Sequence, residues 1–186
     1  MKTIKVILGL GNAPKKYHNT YHNLGHLFLD WLKEKWHYPI FKEEKSLLSE
    51  ISFLKEKNIL LAKNLTFMNE SFKTVKLLKK KYGYQLENFL IVHDDSDLFL
   101  NKFKFCFNRG AGGHKGVEGI IKNIGKNFYR LKIGIRNPNE SQREKAEKLV
   151  LKNIPPKEKE AFLKIFETIE KELLKFLKDS NNLKVF

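Results

Sequence analysis

Only one cysteine, Cys106, occurs among the 186 residues of the chain. A single cysteine excludes an intramolecular disulfide and agrees with a protein of the reducing cytoplasm. Long apolar runs are also missing: no stretch of about 18 apolar residues occurs, so we expect no membrane-spanning segment. Near the N-terminus, Gly9, Gly11 and Pro14 interrupt the apolar run well short of a signal-peptide core.

Acidic residues are scarce compared with basic ones. The chain has 36 Lys and Arg against 21 Asp and Glu, which gives a formal net charge of +15. This charge favours polyanionic partners such as nucleic acids. However, only four of the 36 basic residues are arginines, and Lys, Asn, Ile and Phe are abundant throughout. Biased coding composition explains the charge equally well, so the charge by itself identifies no binding site.

Apolar runs and amphipathic segments alternate along the chain, and this alternation predicts an α/β fold. We expect a three-layer sandwich with a twisted mixed β-sheet flanked by helices, formed as a single domain over residues 1–186. The predicted strands are residues 4–8, 47–54, 58–62, 88–92, 102–107 and 130–135, of which the second and third should form a hairpin. The predicted helices are one with Asn23 as N-cap, residues 70–82 closed by Gly83, one ending at Ile124, and residues 142–151 and 156–178.

Two short motifs suggest other functions, and both are incomplete. Gly9-x-Gly11-x-x-Pro14 resembles a dinucleotide-binding fingerprint but lacks the third glycine, which permits close packing of helix on strand. No Gly-Lys-Ser/Thr follows it, as it would in a P-loop. Cys106 could act as a nucleophile only beside a base, and a cysteine in a Phe-rich strand more often contributes packing.

Three histidines, His18, His22 and His26, are spaced four residues apart. On one continuous helix this spacing would align three imidazoles as possible zinc ligands. A helix that begins near Asn23 leaves His18 outside it, and no glutamate follows the first histidine as in H-E-x-x-H. A metal site at these residues is therefore the weaker interpretation.

Four polar residues lie next to the predicted strands and helices, and the packing of the core does not require a polar residue at any of these positions. Asn12 and His22 lie between the first strand and first helix, Asn69 precedes a helix, and Asp94 follows a strand. A histidine of ordinary pKa, about 6.5, can take a proton from water at pH 7, and a carboxylate on its other nitrogen stabilises the imidazolium. Side-chain amides can bind a developing oxyanion. Each residue also has a structural interpretation as turn, cap or surface residue.

Several blocks of sequence together resemble one family. VILGLGN with YHNTYHNLG, KNLTFMNESFKTV, IVHDDSDL, GGHKG and RLKIGIRNP are similar, in order and at similar spacing, to bacterial peptidyl-tRNA hydrolases. The similarity extends to LVLKNIPPKE before the last helix, so it covers essentially the whole chain. It implies cleavage of the ester between a peptide and the 3′ ribose of tRNA, without metal or cofactor, by a monomer.

The resemblance also implies roles for individual residues. His22 would be the catalytic base, Asp94 would stabilise its protonated form, and Asn12 would discriminate N-blocked from free aminoacyl-tRNA. The residues implied to contact the tRNA end or the peptidyl group are Tyr17, Phe67 and Asn69, with Met68 shaping the floor of the cleft.

Two positions depart from the usual family pattern. The family commonly has Gly-Asn-Pro-Gly where this chain has Gly11-Asn12-Ala13-Pro14, and it has GGHNG where this chain has Lys115 in place of the asparagine. Lysine cannot accept a hydrogen bond, so Lys115 could instead contact a phosphate or a developing oxyanion. Because of Lys115, an RNA-binding protein with little or no catalytic activity is the alternative function. The predicted phosphate contacts along the acceptor arm are Lys102, Lys104, Arg109, Lys115 and Arg130.

Overall fold

The computed structural model describes residues 3–137 and 146–182. Its strands are β1 (Val6–Gly9), β2 (Lys42–Glu44), β3 (Ser49–Leu54), β4 (Ile59–Asn64), β5 (Phe89–Phe99), β6 (Phe103–Phe107) and β7 (Tyr129–Arg136). Its helices are α1 (Leu24–Lys35), α2 (Ser71–Tyr82), α3 (Lys115–Ile124), α4 (Ala146–Leu149) and α5 (Pro156–Asn182). Among the described helices, none has the length and apolarity needed to cross a membrane.

All seven strands form one mixed sheet in the order β2-β3-β4-β1-β5-β7-β6. The four central strands β4, β1, β5 and β7 are parallel, whereas β2, β3 and β6 join in antiparallel pairs at the two edges. Parallel strands have their carboxyl ends at one edge of the sheet, so the loops after them meet there. β1 lies between β4 and β5. The strands β2, β3 and β4 lie on one side of it in the sheet, and β5, β6 and β7 lie on the other side.

Two apolar clusters cover the two faces of the sheet. One packs α1 and α5 against it through Phe28, Leu32, Phe166 and Leu173, and the other packs α2 and α3 through residues such as Val75. The predicted α/β class and three-layer arrangement are therefore confirmed.

Several predicted elements match the structure closely. β3 and β4 form the expected antiparallel hairpin, and Gly83 ends α2 with a φ of 67°. The apolar stripe along α5 is buried at Phe162, Phe166, Ile169, Leu173 and Leu177. The predicted helix over residues 142–151 falls partly outside the described residues. Of its described residues, 146–151, only Ala146–Leu149 is helical, as α4.

Two predictions about local structure need correction. Asn23 is the N-cap residue of α1 as predicted, but it makes no capping hydrogen bond, because its side chain bonds to the backbone of Asn12 instead. The acidic cluster was expected after the end of a strand, but β5 continues through Asp94 to Phe99. Its neighbour β7 pairs with it through Asp95 and again at Phe99, with an irregularity between these residues. β2 was missed because Lys42–Glu44 is short and charged, and its antiparallel pairing with β3 is what makes it a strand.

Candidate active site

The first helix packs against the sheet at a point where glycine is required. A Cβ on Gly9 would lie 2.4 Å from the carbonyl oxygen of Gly25, and one on Gly25 would lie 2.4 Å from the carbonyl oxygen of Val92. The backbones of β1, α1 and β5 are therefore in direct contact. This contact brings the 3₁₀ turn Tyr21–Asn23, which precedes α1, onto the buried part of β5.

His22 and Asp94, predicted as catalytic partners, are in direct contact. The His22 Nδ1 lies 2.9 Å from Asp94 Oδ1, and the residues are 7% and 1% exposed. The backbone N–H of His22 donates to the carbonyl of Val150 at 2.8 Å, so the segment after α4 holds the turn in place. Since Nδ1 faces the carboxylate, Nε2 remains as the ring nitrogen that can accept a proton.

His114 is a third member of this cluster, and the site residues predicted from the sequence did not include it. Its Nε2 lies 3.0 Å from the same oxygen of Asp94, and its Nδ1 accepts a hydrogen bond from the backbone N–H of Val117 at the start of α3. Because Nδ1 accepts a hydrogen bond, the ring proton must be on Nε2, and the Nε2–H donates a hydrogen bond to Asp94. The GGHKG block contained His114, but its role depends on contacts that the sequence does not reveal.

The charge state of Asp94 follows from these contacts. Burial by itself would raise the pKa of Asp94, but the rings of His22 and His114 facing the carboxylate outweigh burial and hold the pKa well below its usual value. Burial lowers the pKa of the neighbouring His93 well below its usual value, with His114 contributing in the same direction. Asp94 is thus ionised at neutral pH, whereas His93 is neutral.

Asn12 lies in the loop after β1, and its side-chain orientation is fixed. Its Oδ1 accepts a hydrogen bond from the backbone N–H of Met68 at 2.8 Å. Since an N–H must donate to oxygen, the Asn12 amide nitrogen points the other way. Among the described residues none accepts a hydrogen bond from this nitrogen, so it is available to donate to a substrate.

The remaining predicted site residues differ in exposure. Asn69 is exposed, Phe67 is 54% exposed and Tyr17 is half-buried, whereas Met68 is only 4% exposed. Neither Asn12 nor Asn69 lines the cavity of about 190 Å³ that contains His22 and Asp94. The residues lining this cavity are His22, Asp94, Asp95, Ser96, Asp97, Gly112, Gly113, His114, Lys115, Ala146, Glu147 and Val150.

Lys115, the residue that departs from the family pattern, lies at the mouth of this cavity. Its Nζ is 3.9 Å from a carboxylate oxygen of Glu147 in α4, and both side chains are largely exposed. The pair therefore crosses the cavity from α3 to α4. An exposed ion pair of this kind contributes little to stability, so a substrate group can displace it at small cost.

Arg130, predicted to contact phosphate directly, is 1% exposed. Its Nη2 donates to the carbonyl of Gly110 at 2.9 Å, which fixes the glycine-rich loop, and the buried Nη1 makes no hydrogen bond among the described residues. Direct contact with phosphate is therefore excluded in this conformation, because the guanidinium is covered by the fold. Lys102, Lys104 and Arg109 are exposed.

The cluster of His22, Asp94 and His114 has ligand atoms within 4.8 Å of one another, close enough to hold a metal ion. A metal at His114 Nε2 would require the proton to move to Nδ1. There it would face the N–H of Val117, which now donates to Nδ1. The residues therefore fit a hydrogen-bonded cluster better than a metal site. His18 and His26 do not join it, because His18 is exposed and His26 bonds to Asn64.

Comparison with known proteins identifies the family. The family model for peptidyl-tRNA hydrolase matches residues 6–185. The peptidyl-tRNA hydrolase of Mycoplasma capricolum subsp. capricolum is 41% identical over 136 residues, which are 73% of this chain and 73% of the relative. That of Neisseria meningitidis serogroup C is 40% identical over 141 residues, 74% of this chain and 73% of the relative.

The fold agrees with this assignment. The crystal structure of peptidyl-tRNA hydrolase from Acinetobacter baumannii superposes with a TM-score of 0.78 at 28% identity, and the match covers 98% of this chain and 96% of that one. Family model, relatives and fold lead to the same result. The chain belongs to the peptidyl-tRNA hydrolase family.

Proposed function

We propose that His22 is the general base with which this protein cleaves the ester between a peptidyl group and the 3′ ribose of tRNA. The observation that carries the proposal is the contact of His22 Nδ1 with Asp94 Oδ1 at 2.9 Å, in a chain of this family. His22 Nε2 takes a proton from water as the water attacks the ester carbonyl. The ionised Asp94 stabilises the imidazolium that forms, and the imidazolium then gives the proton to the 3′ oxygen of the ribose as the ester C–O bond breaks.

An ester linking a peptide to ribose is activated compared with an amide, so a positioned water and a few donors suffice for its hydrolysis. We assign Asn12 to the carbonyl of the peptide group next to the ester, because its amide nitrogen is available as a donor. Free aminoacyl-tRNA has a charged amine there and lacks this group, which leaves Asn12 poorly satisfied. Asn69, exposed in the turn Met68–Glu70 that precedes α2, would donate to the developing oxyanion or to the 3′ end.

The 3′ end of tRNA would bind beside these residues. Phe67 exposes more than half of its surface, and an exposed aromatic ring suits stacking of an unpaired base. Tyr17, with Lys16 Nζ 4.9 Å from its ring centroid, would contact the same end. Met68 is only 4% exposed, and it would form the floor of the site.

We propose that the acceptor arm lies along the edge formed by β6 and β7. A cavity of about 450 Å³ there is lined by Lys104, Arg109, Arg130 and Lys132 together with neighbouring residues of β6. Exposed Lys104 and Arg109 can contact phosphates directly, whereas Arg130 would act through its charge and through the loop it holds.

A substrate made by the ribosome implies action in the cytoplasm. We also propose that the protein is a monomer and that its site lies in a single domain over residues 1–186.

The proposal is tested with an N-blocked aminoacyl-tRNA, a free aminoacyl-tRNA and an N-blocked aminoacyl minihelix that contains only the acceptor arm. The blocked tRNA and the blocked minihelix should both be hydrolysed, and the free aminoacyl-tRNA should be hydrolysed far more slowly. Tight binding of tRNA without turnover would instead favour the RNA-binding alternative. Hydrolysis of the tRNA but not of the minihelix would contradict the acceptor-arm assignment.

Replacing Lys115 with asparagine should raise kcat about threefold. A cation near His22 disfavours the imidazolium that forms during the reaction, and asparagine removes this charge and restores a hydrogen-bond acceptor. The measurement is peptide release under saturating N-blocked substrate, with Lys122→Asn at the exposed end of the same helix as the matched control. Unchanged or lower turnover in Lys115→Asn, with the control unaffected, would show that lysine is not a poor substitute here.

A further inference from the structure

We infer that Asn64 is a positioning residue which, together with Asn23, holds the loop of Asn12 and thereby sets the discrimination between N-blocked and free aminoacyl-tRNA. The inference rests on the proposed role of Asn12. Neither Asn64 nor Asn23 is proposed to touch the substrate. Both act through the backbone of residues 11 and 12.

Asn64, the last residue of β4, pairs with Gly11 as a second peptide strand would. Its Oδ1 accepts from the Gly11 N–H at 2.9 Å, and its Nδ2 donates to the Gly11 carbonyl at 2.8 Å. The same Nδ2 lies 3.0 Å from Thr66 Oγ1 in the segment leading to Met68. Asn64 is 0% exposed, so these bonds are not weakened by competing water.

Asn23 does the same for the next residue of the loop. Its Oδ1 accepts from the Asn12 N–H at 2.9 Å, and its Nδ2 donates to the Asn12 carbonyl at 3.0 Å. Asn23 is also 0% exposed. Two side-chain amides therefore satisfy all four backbone groups of residues 11 and 12, which have left the sheet and have no strand to pair with.

We call the side chains of Asn23 and Asn64, which bond to the backbone of residues 11 and 12, the asparagine clamp. A contact made by His26 also supports this clamp. His26 of α1 lies against Gly11, where a Cβ would come within 2.7 Å of its ring, and its Nε2 is 3.1 Å from Asn64 Oδ1. Burial lowers the pKa of His26 to about 4, with the hydrogen bond to Asn64 acting in the opposite direction. At neutral pH the ring is therefore uncharged, and it donates from Nε2 to Asn64. This bond ties α1 to the end of β4 across the loop.

The clamp matters because Asn12 must satisfy two constraints at once. Its Oδ1 accepts from the Met68 N–H at 2.8 Å, and its amide nitrogen must face the peptide group of the substrate. A shift of about 1 Å at a group that orients a substrate can cost about a hundredfold in rate. The residue after Asn12 is Ala13, which does not restrain the backbone as a proline would, so the side-chain amides of Asn23 and Asn64 supply the restraint.

The test compares kcat/KM for N-blocked and free aminoacyl-tRNA in Asn64→Ala, Asn12→Ala and the double variant. The ratio of the two kcat/KM values does not depend on how much of the protein is folded, so a loss of stability cannot imitate the result. Asn64→Ala should lower the ratio about tenfold, the equivalent of about 1.4 kcal/mol. The double variant should have the ratio of Asn12→Ala alone, because Asn64 acts through Asn12.

Asn64→Asp is the second variant. It keeps the size and the acceptor oxygen of Asn64 but replaces the donor to Gly11 with an oxygen, so it should lower the ratio at least as much as alanine does. The matched control is Asn88→Ala. Asn88 makes the same kind of bonds to the backbone of Gln85 and Thr3 at the opposite end of the sheet, and its loss should lower Tm while leaving the ratio unchanged.

Amide hydrogen exchange provides a readout that is independent of catalysis. In Asn64→Ala the Met68 N–H, which donates to Asn12, should exchange about tenfold faster, and in Asn88→Ala it should not. An unchanged ratio with unchanged exchange of Met68 would overturn the inference, as would additive effects in the double variant. If the wild type hydrolyses neither substrate, the proposed function fails, and the exchange of Met68 still decides whether Asn64 positions Asn12.

Discussion

His22→Ala is expected to reduce peptide release from N-blocked aminoacyl-tRNA by about a thousandfold, because a positioned general base contributes about 10²- to 10⁴-fold to such reactions. Alanine removes the only group that we assign to accept the proton of the attacking water. The remaining donors still bind the substrate, so KM should change much less than kcat. The measurement is single-turnover release of labelled peptide at saturating enzyme.

His18→Ala is the matched control for this prediction. His18 is a histidine of the same segment, but its side chain is exposed and lies outside the cluster with Asp94. Its removal should leave the rate within about twofold of wild type, as is usual for exposed positions away from specific contacts. Equal rates in His22→Ala and wild type would remove His22 from the mechanism.

Asp94→Asn should have the second-largest effect, a loss of about a hundredfold or more in kcat. The amide is neutral, so it no longer stabilises the imidazolium that forms on His22 during the reaction. Asp30→Asn, which removes an exposed carboxylate from α1, is the control for a change of one charge and should retain activity. Retention of wild-type kcat by Asp94→Asn would contradict the assigned role.

The same variant should alter the response to acid. The folded-state pKa of Asp94 lies well below the ordinary value near 4, so below about pH 4 the unfolded chain binds a proton that the folded chain does not. The contribution of Asp94 to the free energy of unfolding is thus present above that pH and is lost as pH falls. Asp94→Asn should lose less stability than wild type between pH 5 and about pH 3, as measured by urea unfolding at each pH.

Local patterns in the sequence predicted much of the fold. Alternating or continuous apolar residues identified six of the seven strands, and the stripe from Phe162 to Leu177 identified α5. The failures occurred where long-range pairing decides the conformation. Lys42–Glu44 is a strand because β3 lies beside it, and β5 continues into its acidic residues because β7 pairs with Asp94 and Asp95.

The candidate site divides in the same way. His22, Asp94 and Asn12 could be named from the sequence because their residue types suit hydrolysis and because their surroundings resemble a known family. The membership of His114 and the clamp formed by Asn23 and Asn64 could not be predicted. An asparagine before a helix ordinarily suggests a cap, and nothing in the local sequence indicates that the side chain of Asn23 instead bonds to residue 12.

The sequence by itself determined which segments become strands and helices and which side chains are available for chemistry, because both depend on residue type and short-range spacing. Only the tertiary structure decided which of those side chains meet. His22, Asp94 and His114 are separated by 72 and 20 residues along the chain, yet both rings bond to a single oxygen. Contacts of this kind depend on strand order and on close backbone approach, as at Gly9 and Gly25, and these are properties of the whole fold.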